Sequence, residues 1–192
     1  MITRCEWPGK DPLYVQYHDT EWGVPIYDDR KIFEFLILET FQAGLSWITV
    51  LRKRDNFRHA FDNFDYNVIA NYNESKFNTL ILNEGIIRNK LKIRAAISNA
   101  QAYLRVIDEF GSFSAYIWGF TEGKTIVNQF RTLSEIPATS ELSDKISKDL
   151  KKRGFKFVGS TVVYAHMQAT GMVNDHIVDC FRHKECQVKQ TI

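Results

Sequence analysis

The sequence lacks any apolar run as long as the roughly 18 residues that a membrane-spanning helix needs. The first residues, Met1 to Glu6, also lack the apolar core of a secretion signal. These two absences exclude the usual signatures of an integral membrane protein and of an exported one. We therefore expect a cytoplasmic protein.

Cysteine is scarce, with only Cys5, Cys180 and Cys186 in the chain. An odd number of cysteines, placed at both ends of a chain without an export signal, argues against a disulfide framework. A metal site or free thiols are the alternatives that remain.

Charge of one sign is not in large excess either, and a formal net charge of +2 does not identify a partner. Basic residues nevertheless concentrate in three segments, Arg52–Arg54, Arg88–Arg94 and Lys151–Lys156. Such clusters are typical of phosphate-binding surfaces, although solvated helix faces give the same pattern.

No internal repeat, low-complexity segment or linker divides the chain, so we expect a single domain over residues 1–192. Capping residues and helical periodicity predict an all-α fold in which only Lys124–Val127 has strand character. The expected helix starts are Asp11, Asp28, Ser46, Asp65, Ser75, Arg88, Ser114, Ser140 and Ser160. The helices from Asp28, Ser46 and Arg88 are expected to end near Gln42, Phe61 and Phe110, and Gly111, Gly154 and Gly171 are expected stops.

Two Cys/His pairs at opposite ends of the chain could form one metal site. Twelve residues separate Cys5 from His18, and three separate His176 from Cys180. Two thiolates and two imidazoles complete a tetrahedral zinc shell, which leaves no position for a catalytic water. Spacing alone also allows ordinary core or surface roles. A further His/Cys pair, His183 with Cys186, competes for the same interpretation.

Glu39 falls on the apolar stripe of a predicted helix, beside Phe35. Because an unpaired buried carboxylate is costly, Glu39 either reaches solvent or an arginine at the helix end, or lines a cavity that holds a polar or cationic ligand. Trp47, Tyr14 and Tyr17 supply flat surfaces nearby in the sequence, although such residues are commonly core. A carboxylate among aromatic rings suits a planar cation.

A set of motifs runs through nearly the whole chain: Asp11–Tyr14, Tyr17–Asp19, Glu21–Pro25, Gln42–Leu51, Gly85–Asn89, Leu133–Pro137, Leu150–Gly159, Met167–Ala169 and Val173–His176. In this order the segments resemble those of the DNA-3-methyladenine glycosylase I family, bacterial enzymes that remove 3-methyladenine from DNA. The resemblance implies a helix-hairpin-helix glycosylase fold whose N- and C-terminal segments are joined by one structural zinc ion. Its ligands would be Cys5, His18, His176 and Cys180. Glu39, Tyr17 and Trp47 would contact the excised base, with Tyr14 close by.

The resemblance also implies which segments contact DNA. Asn83–Ile93 corresponds to the hairpin that anchors a phosphate, and Gly44–Leu45 corresponds to a wedge that enters the base stack. The implied contact residues are Gly44, Leu45, Gly85, Arg88 and Lys90. The chain departs from the family pattern at Thr40–Phe41, which could alter the pocket wall, and at Asn89–Leu91, where the family hairpin would have glycine.

The implied reaction is hydrolysis of the N-glycosidic bond of 3-methyladenine in double-stranded DNA by a monomeric enzyme. The alkylated base is a cation, so it leaves with little protonation, and extrusion of a poorly stacked lesion costs less. No lysine is placed as a Schiff-base nucleophile, which favours a hydrolase without a lyase step. A damage-binding module without activity and a zinc hydrolase are the alternatives, and a role of Glu39 in activating water stays open.

Overall fold

The computed structural model describes residues 2–188, which are mostly helical. The helices are α1 (Pro12–Thr20), α2 (Asp29–Gln42), α3 (Trp47–Leu51), α4 (Arg54–Ala60), α5 (Tyr66–Ile69), α6 (Glu74–Leu82), α7 (Lys90–Phe110), α8 (Phe113–Gly119), α9 (Glu141–Lys152), α10 (Ser160–Ala169) and α11 (Phe181–Val188). Short 3₁₀ helices lie at Asp62–Phe64 and Leu133–Glu135. Two strands, β1 (Ile126–Val127) and β2 (Val173–Asn174), form a parallel pair. The all-α prediction is confirmed apart from this small pair, of which β2 was not predicted.

Several helices begin where the capping residues predict. Asp11, Asp28 and Asp65 each accept hydrogen bonds from backbone amides of the first turn, and Ser140 forms a reciprocal capping box with Ser143. These side chains satisfy amides that have no partner inside the helix. The predicted ends at Gln42 and Phe110 are confirmed, and Gly111 follows α7 with a φ of 84°.

Other helix boundaries were wrong. The predicted helix from Ser46 to Phe61 is interrupted, because Lys53 leaves the helical region with φ −100° and ψ 0°. The predicted starts at Ser75 and Ser114 lie two residues late, since Asn73 and Ser112 supply the capping oxygens.

The start of the longest helix also differs from the prediction. Asn89 caps α7, so the helix begins at Lys90 instead of Arg88. At the start of α10, Gly159 holds the capping position and Ser160 is the first helical residue.

Helix α2 lies at the centre of the molecule, with every residue from Ile32 to Phe41 buried. A helix that is buried on all sides needs apolar residues all round, and Glu34, Glu39 and Thr40 are the polar exceptions in this stretch. Helices α3, α7, α8 and α10 all pack against α2. Burial of α2 therefore carries the Glu39 side chain into the interior.

The two ends of the described chain meet. The Phe181 amide donates to the Thr3 carbonyl at 3.0 Å, next to the parallel strand pair. None of the helices among residues 2–188 is long and apolar enough to cross a membrane. Residues 1 and 189–192, which the predicted domain includes, lie outside the described residues.

Candidate functional site

A cavity of about 330 Å³ opens beside the C-terminal end of the central helix α2. Its lining residues come from five parts of the chain: Trp7, Tyr14, Tyr17, Trp22, Glu39, Gln42, Trp47, Leu133, Ile136, Ala165 and Gln168. All four residues predicted to bind a base are therefore brought to one cavity. Its volume lies near the lower end of the range for small-molecule sites, about 300 to 1,000 Å³.

Glu39 is the acidic residue in this lining, and it is 4% exposed. Its carboxylate makes no hydrogen bond or ion pair with the described residues. Burial raises the pKa of Glu39 from its ordinary value of 4.5 to about 8, because no neighbouring cation stabilises the charged form. The predicted alternative, in which Glu39 reaches solvent or an arginine, does not occur. Glu39 is instead a buried carboxyl group in the cavity wall, with a raised pKa that favours its neutral form.

Aromatic rings surround Glu39. The Tyr17 and Trp47 ring centroids are 5.5 Å apart, and Trp7 packs edge-on against Tyr14 with centroids separated by 4.8 Å. Burial raises the pKa of Tyr17 well above 10, with Glu39 as the second cause, so the phenol stays neutral. The cavity therefore offers aromatic surface against which a flat ring can pack, next to the Glu39 carboxyl group.

A buried arginine supports this aromatic wall from behind. Arg54 donates to Glu34 and Glu21, each at 2.7 Å, and its guanidinium lies 4.9 Å above the Phe35 ring. Phe35 in turn packs against Tyr17 and Trp47. Because Arg54 is paired with carboxylates, its charge is not available to Glu39.

The four predicted metal ligands converge on one buried point. The Cys5 Sγ and His176 Nδ1 atoms are 3.7 Å apart, and Cys180 Sγ lies 3.5 Å from His18 Nε2 and 3.6 Å from His176 Nδ1. Sulfur and nitrogen ligands of one tetrahedral zinc ion would be separated by about 3.5 Å. The cluster can therefore hold a single metal ion.

The outer ring nitrogens of both histidines are also engaged. His18 Nδ1 contacts Asp19 Oδ1 at 2.8 Å, and His176 Nε2 contacts the Trp22 carbonyl at 2.9 Å. Such second contacts orient metal-binding imidazoles. The competing pair is placed elsewhere, because His183 Nε2 contacts the Asn128 carbonyl and Cys186 is not one of the four clustered ligands.

The predicted wedge residues form a tight turn at the cavity rim. Ala43 has φ −47° and ψ 116°, Gly44 has φ 83°, and the Leu45 amide donates to the Gln42 carbonyl at 2.6 Å. This geometry is a type II turn, which requires positive φ at its third residue. Leu45 is 43% exposed, between two residues that line the cavity.

A buried lysine holds this turn. Lys92 Nζ donates to the Phe41 carbonyl at 2.9 Å and to the Ala43 carbonyl at 2.6 Å. In a type II turn the peptide after Ala43 can flip, so the bond to its carbonyl fixes the orientation of the turn. Lys92 also brings the start of α7 against the rim of the cavity.

The predicted DNA-anchoring segment, Asn83–Ile93, comprises the loop between α6 and α7 and the first turn of α7. Gly85 approaches Asn56 so closely that an added Cβ would lie 3.1 Å from it. Lys53 Nζ donates to the carbonyl groups of Glu84 and Gly85. Arg88 pairs with Glu84 at 3.5 Å, whereas Lys90 is exposed.

A second basic helix–turn–helix unit is formed by α9 and α10. The buried Asn99 amide holds its connecting turn, because it pairs with both the amide and the carbonyl of Lys156. Arg153 is bound to Asp149 and Glu109, whereas Lys151, Lys152 and Lys156, at and after the end of α9, are exposed.

Comparison with known proteins identifies the family. The methyladenine glycosylase family model matches residues 7–183. The chain belongs to the methyladenine glycosylase family. The resemblance found in the motifs is thereby confirmed.

Relatives within the methyladenine glycosylase family align along almost their whole length. The Escherichia coli DNA-3-methyladenine glycosylase 1 is 51% identical over 179 residues, which cover 93% of this chain and 96% of that protein. The Haemophilus influenzae DNA-3-methyladenine glycosylase is 47% identical, with 94% and 97% covered. The structure of the Staphylococcus aureus 3-methyladenine DNA glycosylase I has a TM-score of 0.90 at 35% identity, and 93% and 95% of the two chains are covered.

Several lining residues were not singled out from the sequence. Trp7 and Trp22 flank the predicted metal ligands, and Leu133, Ile136 and Gln168 lie within motifs that the family shares. The motifs marked these segments, but only the packing of distant elements shows that their side chains face one cavity. The role of Lys92 could not be predicted, because nothing in the sequence distinguishes it from the other basic residues of Arg88–Arg94.

Proposed function

We propose that this chain is a monofunctional DNA glycosylase that hydrolyses the N-glycosidic bond of 3-methyladenine in double-stranded DNA. The observation that carries the proposal is the unpaired Glu39 carboxyl group, buried beside aromatic rings in a cavity of base size. A planar cation is the ligand that suits such a cavity. Relatives named for action on 3-methyladenine supply the identity of that cation.

Recognition would depend on the charge of the alkylated base. Its positive charge lowers the pKa of the Glu39 carboxyl from about 8, so the group ionises as the base enters and accepts hydrogen bonds from its edge. Tyr17 and Trp47 would pack against the base, with Tyr14 at the side. Undamaged adenine lacks the charge and leaves Glu39 protonated.

Catalysis would need little beyond this placement. A cationic purine leaves as a neutral base, and the ionised carboxylate would offset positive charge that develops on the sugar. Lys92, which holds the turn at the rim, is bound to two carbonyl groups and is not free to form a Schiff base. Water would then complete the hydrolysis.

The DNA would approach along the rim. Leu45 would enter the base stack as the nucleotide turns out, while Gly85, Arg88 and Lys90 contact the backbone on one side. The α9–α10 unit, with Lys151, Lys152 and Lys156, offers a second phosphate contact in a helix-hairpin-helix arrangement. One lesion occupies one cavity, so the enzyme would act as a monomer.

The Cys5, His18, His176 and Cys180 site fits a structural zinc ion. Four protein ligands close the coordination shell, so a bound zinc ion supplies stability and no activated water. The closed coordination shell distinguishes the proposed glycosylase from a zinc hydrolase, which needs an open coordination position.

The proposal is tested by incubating the protein with methylated duplex DNA and identifying free bases by chromatography. We expect release of 3-methyladenine, abasic sites without strand cleavage, and no covalent product after borohydride reduction. Tight binding to methylated DNA without base release would instead indicate a damage-binding module. A trapped protein–DNA adduct would overturn the hydrolytic mechanism.

A further inference from the structure

The Gln168 amide is held in one orientation at the cavity wall. Gln168 lies on α10, and its Nε2 atom donates to Asp175 Oδ2 at 2.8 Å. Asp175 is 1% exposed and also accepts from Tyr164 at 2.7 Å and from Asn128 at 2.6 Å. A carboxylate surrounded by donors can only accept, so it selects the NH₂ end of the amide.

The opposite end of the amide is consequently the carbonyl oxygen Oε1. This atom accepts no hydrogen bond from the described residues. It is also not among the fully enclosed polar atoms that lack a partner. Since Gln168 lines the cavity, Oε1 is an acceptor that a ligand can reach.

Gln168 and Glu39 come from different helices that are pinned together. His166 Nε2 on α10 contacts the Ile32 carbonyl on α2 at 3.1 Å, and both helices contribute to the cavity lining. The cavity therefore presents two hydrogen-bond acceptors on separate helices, the ionised Glu39 carboxylate on α2 and the Gln168 carbonyl on α10. An exocyclic amino group has two hydrogens to donate.

We propose that Gln168 is a specificity-determining residue that accepts a hydrogen bond from the 6-amino group of the alkylated purine. A 6-oxo purine such as 3-methylguanine would place its own acceptor against Oε1, which leaves two acceptors unpaired. Gln168 thus favours alkylated adenine over alkylated guanine. The inference rests on the proposed function, because it assumes that an extruded purine occupies the cavity.

The test compares 3-methyladenine and 3-methylguanine release from the same methylated duplex, with wild-type protein and Gln168→Met. Methionine keeps the length of the side chain and removes its acceptor. We expect 3-methyladenine release to fall about 10-fold, with 3-methylguanine release unchanged or higher, so that the ratio of the two rates falls. An unchanged ratio, with or without a general loss of rate, would overturn the proposal.

Gln42→Met is the matched control, because Gln42 also lines the cavity but has no carboxylate that fixes its amide. We expect its rate ratio to stay within about twofold of wild type, as for a change without a specific hydrogen bond. An equal fall in the ratio for Gln42→Met would trace the effect to cavity polarity and contradict the assignment to Gln168. If the wild-type protein releases neither base, the proposed function fails, and the inference fails with it.

The variant Asp175→Asn separately tests whether Asp175 fixes the orientation of the Gln168 amide. Its amide can pair with either end of Gln168, so the Gln168 NH₂ group can turn toward the cavity and donate to a 6-oxo group. We expect relative 3-methylguanine release to rise above its value in Gln168→Met. A folded Asp175→Asn variant with the wild-type ratio would refute this orientation mechanism. If this variant does not fold, the Gln168→Met ratio still decides the role of Gln168.

Discussion

At the residue scale, the charge state of Glu39 depends on what shares its cavity. The carboxyl group holds its proton up to about pH 8 in the folded protein, because burial is not offset by any cation. The ordinary pKa of 4.5 applies in the unfolded chain. A folded-state pKa above the unfolded one gives stability that is complete below the lower value and is lost as the pH rises through the higher one.

Glu39→Gln should therefore alter how stability depends on pH. The variant should unfold at about the same temperature as wild type near about pH 4, and should become the more stable of the two as the pH rises toward about 8. Thermal unfolding of both proteins across this range, followed by circular dichroism, measures the difference. Parallel curves would show that Glu39 keeps its ordinary pKa in the folded protein.

Sequence reasoning reached Glu39 because helical periodicity places residues on faces, and an acidic residue on an apolar face is visible in one segment. Gln168 was not reachable in the same way. Its partner Asp175 lies beyond the end of α10, and its cavity is completed by residues from the other end of the chain. A residue role that depends on tertiary contacts cannot be predicted from the residue pattern of one segment.

At the scale of elements, the end of α2 depends on a side chain from another helix. Lys92 satisfies two carbonyl groups that the helix end leaves without partners, and it fixes the turn that carries Leu45. Burial lowers the pKa of Lys92, but both of its acceptors favour the charged form. The clamp joins the cavity rim to the start of α7.

Lys92→Met should remove these bonds while keeping the side-chain length. We expect a loss of about 2–3 kcal/mol in the free energy of unfolding, because two carbonyl groups lose a charged donor. Lys90→Met is the control, since it removes an exposed lysine from the same turn and should cost less than about 0.5 kcal/mol. Urea denaturation measures both values, and equal stability of the two variants would contradict the clamp.

Helix starts were predictable where one side chain caps its own helix, as for Asp11, Asp28 and Ser140. The interruption of the predicted Ser46–Phe61 helix at Lys53 was not predictable. The Lys53 side chain donates to the carbonyl groups of Glu84 and Gly85, which are distant in the sequence. Strand β2 was missed for a related reason. Two residues carry no periodicity, and their pairing with β1 is a long-range contact.

At the scale of the whole molecule, the Cys/His cluster and the aromatic cavity share a wall. The Trp22 ring packs 4.6 Å from the His176 ring and 5.1 Å from the Trp7 ring, and both tryptophans line the cavity. Gly23 is required here, because an added Cβ would lie 3.0 Å from the His176 ring. The Cys/His cluster therefore joins residues from the two chain ends beside one side of the cavity.

Removal of the metal should loosen the fold and weaken base release together. We expect the purified protein to contain about one zinc ion per chain, and Cys180→Ser to lose zinc and to melt at a lower temperature. Cys186→Ser should retain the ion, because Cys186 is not among the four clustered ligands. Atomic absorption and thermal melting measure both effects, and full zinc retention by Cys180→Ser would exclude the predicted ligand set.

Glu39 is the group on which the proposed recognition of a cationic base depends. Its most direct test is single-turnover release of 3-methyladenine from methylated duplex DNA by wild type and by Glu39→Gln, with zinc content and folding checked in both. We predict that the variant is folded, keeps its zinc and releases the base at least about 100-fold more slowly, as expected when a charge that stabilises the reacting state is removed. Excision at the wild-type rate by folded Glu39→Gln would contradict the account.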